Sequence, residues 1–254
     1  MSKVVVITGS SGGIGKALVK AYLDDNYFVI GLDRTYPHPN MEFMEAKSFT
    51  MLKADLFLFA RDAKYRTSVV DQIKSNIPDS ITGLALINNA ATQILKPIEE
   101  IQWDDWEQSL AVNSVAPYFL VQGLIKELSE YHGHIVNISS IHAKLSKSGF
   151  TCYAASKATL ESITRSLALE LSPLGVSVNA VAPAAIATDM LRAGFSDSPE
   201  KLKKLEACHP SNSIGQPEDI AQFIKTITEH GSGFLTGSVF EFNGGISARL
   251  NDPA

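Results

Sequence analysis

A doubly wound α/β fold, with a parallel sheet and helices on both faces, is the fold class this sequence predicts. Three observations lead to it. Short apolar runs alternate along the chain with helix-length amphipathic stretches. Those runs are rich in Val, Ile and Leu without strict alternation, as strands buried on both faces of a parallel sheet should be. A glycine-rich turn, Thr8-Gly9-Ser10-Ser11-Gly12-Gly13-Ile14-Gly15, separates the first run from the first helical pattern.

The elements follow in order. Val4–Thr8 is the first predicted strand. Residues 13–25 place Ile14, Leu18 and Tyr22 on one helix face and stop at Asp-Asp-Asn. Tyr27–Leu32 is the second strand. The stretch Arg34–Lys53 contains Pro37, His38 and Pro39 and reads as a loop without a helix. Leu84–Asn88 is the next strand. Trp103 and Trp106 sit three apart at a helix start, where packing in the core or an interface explains them. Gln108–Ile125 reads as a helix and His134–Ser139 as a strand. Residues 153–171 align Leu160, Ile163, Leu167 and Leu171 on one face, and Pro173 and Gly175 end that helix. Val176–Ala182 and Val239–Phe242 are the last strands. Between them, Asp189–Ser213 is irregular, with helical signals over Ser198–Ala207.

Length and composition bound the rest. The 254 residues allow one large domain or two small ones. No linker or internal repeat divides them, so a single domain over 1–254 is expected. Hydrophobic residues at 45% and charged residues at 19% fit a globular chain and exclude a disordered one. The net charge, 22 − 27 = −5, offers no footprint for nucleic acid. No Lys/Arg run suits an anionic membrane. The longest uncharged stretches, Gln108–Ile125 and Leu171–Thr188, contain Pro and Asn and do not read as membrane spans. The N-terminal apolar run, Val4–Ile7, is too short for a signal peptide. Cys152 and Cys208 form neither a disulfide framework nor a CxxC pair, which fits a reducing compartment. A soluble, cytoplasmic protein is expected. His132 and His134 read as loop residues, and no metal site is expected.

The glycine turn carries the first chemical signal. Gly9, Gly13 and Gly15, with Ser11 and Ile14, allow a tight turn and close approach of a pyrophosphate to a helix N-terminus. Asp33 ends the second strand, 18 residues after Gly15. An acid at this separation hydrogen-bonds an adenine ribose and repels a 2′-phosphate. Arg34 beside it could instead accommodate that phosphate. The turn itself holds no Lys or Arg, so NAD is expected over NADP.

Tyr153-Ala-Ala-Ser-Lys157 carries the second signal. Residues i and i+4 share a helix face, so phenol and ammonium can share a site. A free tyrosine is a poor base at neutral pH, and a lysine charge nearby favours its phenolate. This is a route to a tyrosine acid/base. Ser139 and Ser140 end a strand about thirteen residues earlier, where ligands of parallel sheets bind.

Together Thr8–Gly15, Asn88-Asn89-Ala90, Asn113, Ser140, Tyr153 and Lys157 resemble the short-chain dehydrogenase/reductase family, in its compact oxidoreductase branch. The resemblance runs from Val4 to about Gly245. It implies a seven-stranded parallel Rossmann sheet and a homotetramer or homodimer. By position it implies Tyr153 as acid/base, with Lys157 lowering its pKa and holding the nicotinamide ribose. Ser140, thirteen residues before Tyr153, is implied to bind the substrate oxygen. Asn113 is implied to support a relay water. Asp55 and Leu56 would meet the adenine, Asn89 and Ala90 the adenosine ribose, and Pro183, Ile186 and Thr188 the nicotinamide carboxamide.

The chain departs from the family pattern in places. Ala91 and Ala184 stand where glycine is usual, and alanine restricts positive φ. Asn243-Gly244-Gly245 replaces the commoner Asp-Gly-Gly. The expected activity is NAD-dependent interconversion of a secondary alcohol and a ketone. An NADPH-preferring carbonyl reductase using Arg34 and a non-catalytic dinucleotide sensor are the alternatives. The substrate pocket is expected from residues 140–152, with His142 a candidate wall. A lid over 189–213 is expected to add Met190, Leu191 and Phe195.

Overall fold

The first strand, β1 (Ser2–Thr8), is fully buried from Val4 to Ile7. Its side chains alternate between two cores, as strand geometry requires. Val4 and Val6 face one apolar cluster and Val5 and Ile7 the other. This two-faced burial explains why the strand reads as a continuous apolar run. The computed structural model describes residues 2–35, 42–188, 191, 199–230 and 233–250.

The remaining strands are β2 (Phe28–Asp33), β3 (Phe49–Lys53), β4 (Ile81–Asn88), β5 (His134–Ile138), β6 (Ser177–Pro183) and β7 (Val239–Phe242). Among the described residues they form one seven-stranded sheet in the order β3-β2-β1-β4-β5-β6-β7. Every pairing is parallel. The order reverses between β1 and β4, and a crevice opens at their carboxyl ends, as in other doubly wound sheets.

The helices are α1 (Gly13–Asp24), α2 (Leu56–Arg61), α3 (Ala63–Asn76), α4 (Trp103–Leu110), α5 (Ala116–Gly123), α6 (Ile125–Glu130), α7 (Thr151–Leu171), α8 (Pro199–Ala207) and α9 (Pro217–Glu229). Leu18 and Tyr22 of α1 and Ile220 and Ile224 of α9 cover one sheet face. Phe59, Ile73, Leu120 and Leu167, from α2, α3, α5 and α7, cover the other. None of these helices is long and apolar enough to cross a membrane.

Several expectations are corrected. The predicted loop Arg34–Lys53 contains a 3₁₀ turn (Glu42–Glu45) and the strand β3. β3 is an edge strand whose first four residues are only half-buried, so it leaves no apolar run to read. Pro37, His38 and Pro39 lie outside the described residues. The predicted helix Gln108–Ile125 is interrupted by a π-helical turn over Ala111–Val115, and α6 begins at Ile125. Ala91 and Ala184 take no left-handed φ, since among the described residues Asn26, His132 and Asn212 are the non-glycine residues that do. Alanine therefore strains neither position. Trp103 is 75% exposed, which excludes a core role. Of the expected lid, Met190 and Phe195 lie outside the described residues.

Candidate active site

A cleft of about 360 Å³ lies over the carboxyl ends of β1, β2 and β4. The structure brings Gly9, Gly13, Ile14, Gly15, Asp33, Arg34, Asp55, Leu56, Asn89, Ala90 and Thr188 to its wall. Ala54, Phe57, Gln108 and Val112 join them without having been singled out by sequence. Pro183 ends β6, and Ile186 bridges to Gly215 just beyond it; neither is part of this wall.

Backbone constraints shape the turn. A Cβ on Gly15 would stand 2.0 Å from the Gly9 carbonyl oxygen, so only glycine lets α1 start this close to the turn. A Cβ on Gly13 would stand 2.6 Å from Thr188 Cγ2, where the segment after β6 closes over the helix start. Asn89 staples the turn from β4. Its Nδ2 donates to the carbonyls of Thr8 and Gly9, at 2.9 and 3.0 Å. The backbone N–H groups of Asn89 and Ala90 both donate to Thr8 Oγ1 at 3.0 Å. The Asn89 side chain therefore positions the glycine turn.

The acidic groups are also held. Asp33 Oδ2 accepts the Ser11 N–H at 3.0 Å, and Oδ1 accepts the Thr35 N–H at 3.4 Å. This fixes the carboxylate beside the turn, and Arg34 flanks it on an exposed stretch. Asp55 Oδ1 caps α2 through the N–H groups of Phe57 and Leu58, at 2.8 and 3.2 Å. Its place on the wall and its cap are one geometry.

Two features of the cleft suit a dinucleotide. The helix α1 begins at Gly13, after an N-cap residue, Gly12, that makes no side-chain hydrogen bond, so its first N–H groups face the turn unpaired by side chains. Ser11 Oγ is buried and has no partner within the protein, a polar atom waiting on a ligand oxygen or water. The residues present fit the dinucleotide that the sequence implies.

Asn113, Ser140, Tyr153 and Lys157 are not on this wall; they gather where α7 packs on the end of β5, tied to the wall through Thr92, which Asn113 holds. Tyr153 is half-buried in the first turn of α7, and Lys157 is 2% exposed one turn later. Lys157 Nζ donates to the Ile138 carbonyl, the last residue of β5, at 2.7 Å. It lies 5.8 Å from the centre of the Tyr153 ring. Burial pulls the lysine down to about 7. Burial pushes the phenol above the ordinary tyrosine range, and the Ser140 hydroxyl pulls it part of the way back. The lysine was expected to lower the phenol; instead burial sets the direction, only the Ser140 hydroxyl pulls the other way, and the phenol holds its proton at neutral pH.

The two serines after β5 part ways. Ser139 Oγ donates to the buried Glu161 Oε1 at 2.9 Å. Ser140 Oγ faces Tyr153 and accepts the His142 N–H at 3.2 Å. Asn113 sits in the π-helical turn and is fully buried. It exchanges both amide bonds with the Thr92 backbone, at 2.8 and 2.9 Å. Its Nδ2 also donates to Ser156 Oγ at 2.9 Å, and Ser156 Oγ donates to the Tyr153 carbonyl at 2.7 Å. Asn113 thus positions the turn that carries Tyr153. Sequence reading missed Ser156 and Thr92, because nothing in their spacing marks them.

His142 joins the same cluster. Its ring packs on Phe150 at 4.3 Å and lies edge-on to Tyr153 at 6.1 Å. Its Nδ1–H donates to the Leu145 carbonyl at 3.1 Å. Burial lowers its pKa, so the ring is neutral at neutral pH. Among the described residues no His/Cys/Asp/Glu group could hold a metal ion.

Comparison with known proteins places the chain. The family model described as short chain dehydrogenase matches residues 3–199. Protein FixR of Bradyrhizobium diazoefficiens is 31% identical over 250 residues, covering 96% of this chain and 86% of that protein. Acetoacetyl-CoA reductase of Cupriavidus necator is 30% identical over 248 residues, covering 96% and 98%. The structure of 4-hydroxyisoleucine dehydrogenase complexed with NADH superposes with a TM-score of 0.87 at 26% identity, covering 98% of this chain and all of that one.

The depressed lysine has a measurable consequence. Between about 7 and its ordinary 10.5, the unfolded chain binds a proton at Lys157 that the folded chain does not. Stability contributed by this residue therefore rises with pH through that window and is lowest below it. The melting temperature of Lys157→Met minus that of the parent should be constant below pH 7 and fall steadily from pH 7 to pH 10. A difference independent of pH across the window would show that burial does not depress this lysine.

Proposed function

We propose that this chain, which belongs to the short-chain dehydrogenase family of NAD(P)-dependent oxidoreductases, interconverts a secondary alcohol and its ketone and prefers NAD. One observation carries the reading. The phenol of Tyr153, the hydroxyl of Ser140 and the buried amine of Lys157 converge at the end of β5, the strand beside β4, whose carboxyl end borders the glycine-lined cleft.

The glycine turn, Asp33, Asp55, Leu56, Asn89, Ala90 and Thr188 would hold the coenzyme, with Pro183 and Ile186 shaping the nicotinamide end. When bound, the nicotinamide supplies or accepts the hydride. The chain's own residues handle the proton and the orientation. Tyr153 Oη gives its proton to the ketone oxygen in reduction and takes it back in oxidation. Ser140 Oγ donates to the same oxygen and fixes it against the phenol. Lys157, held by the Ile138 carbonyl 5.8 Å from the centre of the ring, would favour the phenolate whenever the proton has left. Asn113 and Ser156 hold the first turn of α7, and so the angle of the phenol, through the cycle.

NAD preference rests on Asp33. Its carboxylate is fixed at the cleft by Ser11 and would repel a 2′-phosphate. Arg34 on the same wall supports the second reading, an NADPH-preferring carbonyl reductase. A non-catalytic sensor finds less support, since it has no need of Asn113, Ser140, Tyr153 and Lys157 together. The reading includes a small alcohol or ketone substrate, a cytoplasmic location and a dimer or tetramer. Two unbridged cysteines support the compartment, and Leu169, 80% exposed on α7, supports an interface.

Two measurements test this. In a screen of secondary alcohols and ketones, Tyr153→Phe should lower turnover by about 10²–10⁴ while NADH binding is retained. Undiminished turnover would remove Tyr153 from the acid/base role. In fluorescence titrations the parent should bind NADH more tightly than NADPH, and Asp33→Asn should narrow that gap. Tighter NADPH binding by the parent would favour Arg34 as the determinant.

A further inference from the structure

The strand order lays out the coenzyme cleft in stations. The glycine turn leaves β1, Asp33 ends β2, and Ala54 and Asp55 follow β3, each strand lying one place further out on the sheet. The Ala54 N–H donates to the Asp33 carbonyl at 2.8 Å, so the last two stations adjoin. A dinucleotide with its pyrophosphate on the glycine turn and its ribose on Asp33 puts its base at the end of β3.

That end of the cleft has apolar walls and two polar side chains with unused capacity. Leu56, Phe57 and Val112 line it. Asp55 uses Oδ1 to cap α2, and among the described residues Oδ2 has no partner. Gln108 lines the cleft from α4, four residues before Val112, which lines it from the π-helical turn. Arg61 Nε reaches Glu107 Oε1 at 3.1 Å, so α2 and α4 meet beside Gln108. Among the described residues the Gln108 carboxamide makes no hydrogen bond. A carboxamide carries a donor and an acceptor side by side. The edge of adenine carries the complement, an amine beside a ring nitrogen, and glutamine is suited to pair with both at once. A carboxylate oxygen only accepts, which suits the amine's second proton.

We propose that Gln108 is a specificity-determining residue for the coenzyme, pairing through its carboxamide with the amino edge of adenine while Asp55 Oδ2 takes the remaining amine proton. The inference rests on the dinucleotide reading of the cleft and is independent of the chemistry at Tyr153. The competing role for Gln108 is a solvated amide on the cleft's lip that never touches the base.

The test uses the full chain and reads binding alone. NADH and reduced nicotinamide mononucleotide, which lacks the adenosine, are titrated by fluorescence into the parent and Gln108→Met. Methionine keeps the length and unbranched shape of glutamine and removes the amide. NADH affinity should fall about fivefold or more in Gln108→Met, the lower bound for loss of a two-point pairing with a base. Affinity for the mononucleotide should stay within about twofold of the parent's, since Gln108 does not reach it. Equal NADH affinity in the two proteins would overturn the proposal and leave the dinucleotide reading intact. An equal loss for both ligands would also overturn it, showing that the substitution reshapes the cleft instead of removing a contact to the base. A parent that binds NADH no better than the mononucleotide would overturn the dinucleotide reading and the role of Gln108 with it.

Discussion

The ammonium of Lys157 lies where solvent hardly reaches, and its hydrogen bond to the carbonyl of Ile138 ties the second turn of α7 to the last residue of β5. A charge taken out of water is costly unless it is paired or hydrogen-bonded. That cost is why the lysine is pulled down to about 7, and why its place admits so little freedom. With α7 pinned at this point, Tyr153 one turn earlier falls against Ser140, two residues past Ile138. The proposed acid/base, the proposed substrate clamp and the charge behind them follow from one bond between a helix and a strand end.

A second constraint sets the neighbouring cleft. The order of strands reverses between β1 and β4, so the turns that leave them diverge and open a crevice. Asn89 and Ala90 span that crevice to Thr8 and Gly9 with four hydrogen bonds, and the glycine turn keeps its shape against β4. Substitution at Asn89 would thus act on the coenzyme through the turn. The same economy holds at Asp55, whose cap on α2 and place on the cleft wall depend on each other, and at Asn113, which reaches Tyr153 through Ser156. Much of the site's polarity is directed at backbone, and the groups left facing the cleft are correspondingly few.

How much of this was legible in the sequence depended on burial. β1, β4 and β6 are buried over most of their length and read as apolar runs. β3 lies at the sheet edge with half-buried side chains, and its Phe-Thr-Met-Leu-Lys has no pattern that separates it from a loop. α3 buries only Val69, Val70 and Ile73 among polar residues, and it too leaves a faint signal. The π-helical turn at Ala111–Val115 has no marker in composition, although such turns recur at functional sites. Tyr153 and Lys157 could be picked out by spacing along one helix, and Asp33 by its distance from the glycine turn. The Asn89 staple joins residues 80 or more positions apart in different elements, so no local spacing announces it.

The site depends on the register at the end of β5, which sends Ser139 to Glu161 and Ser140 to Tyr153. A slip of one residue would exchange their surroundings. The most direct measurement is turnover of a secondary alcohol by Ser139→Ala and Ser140→Ala, read beside their melting temperatures. Ser140→Ala should lose most of its turnover and keep its stability, and Ser139→Ala should lose stability through the unpaired Glu161 and keep its turnover. The reverse assignment, or equal turnover in both, would contradict the site described for this chain.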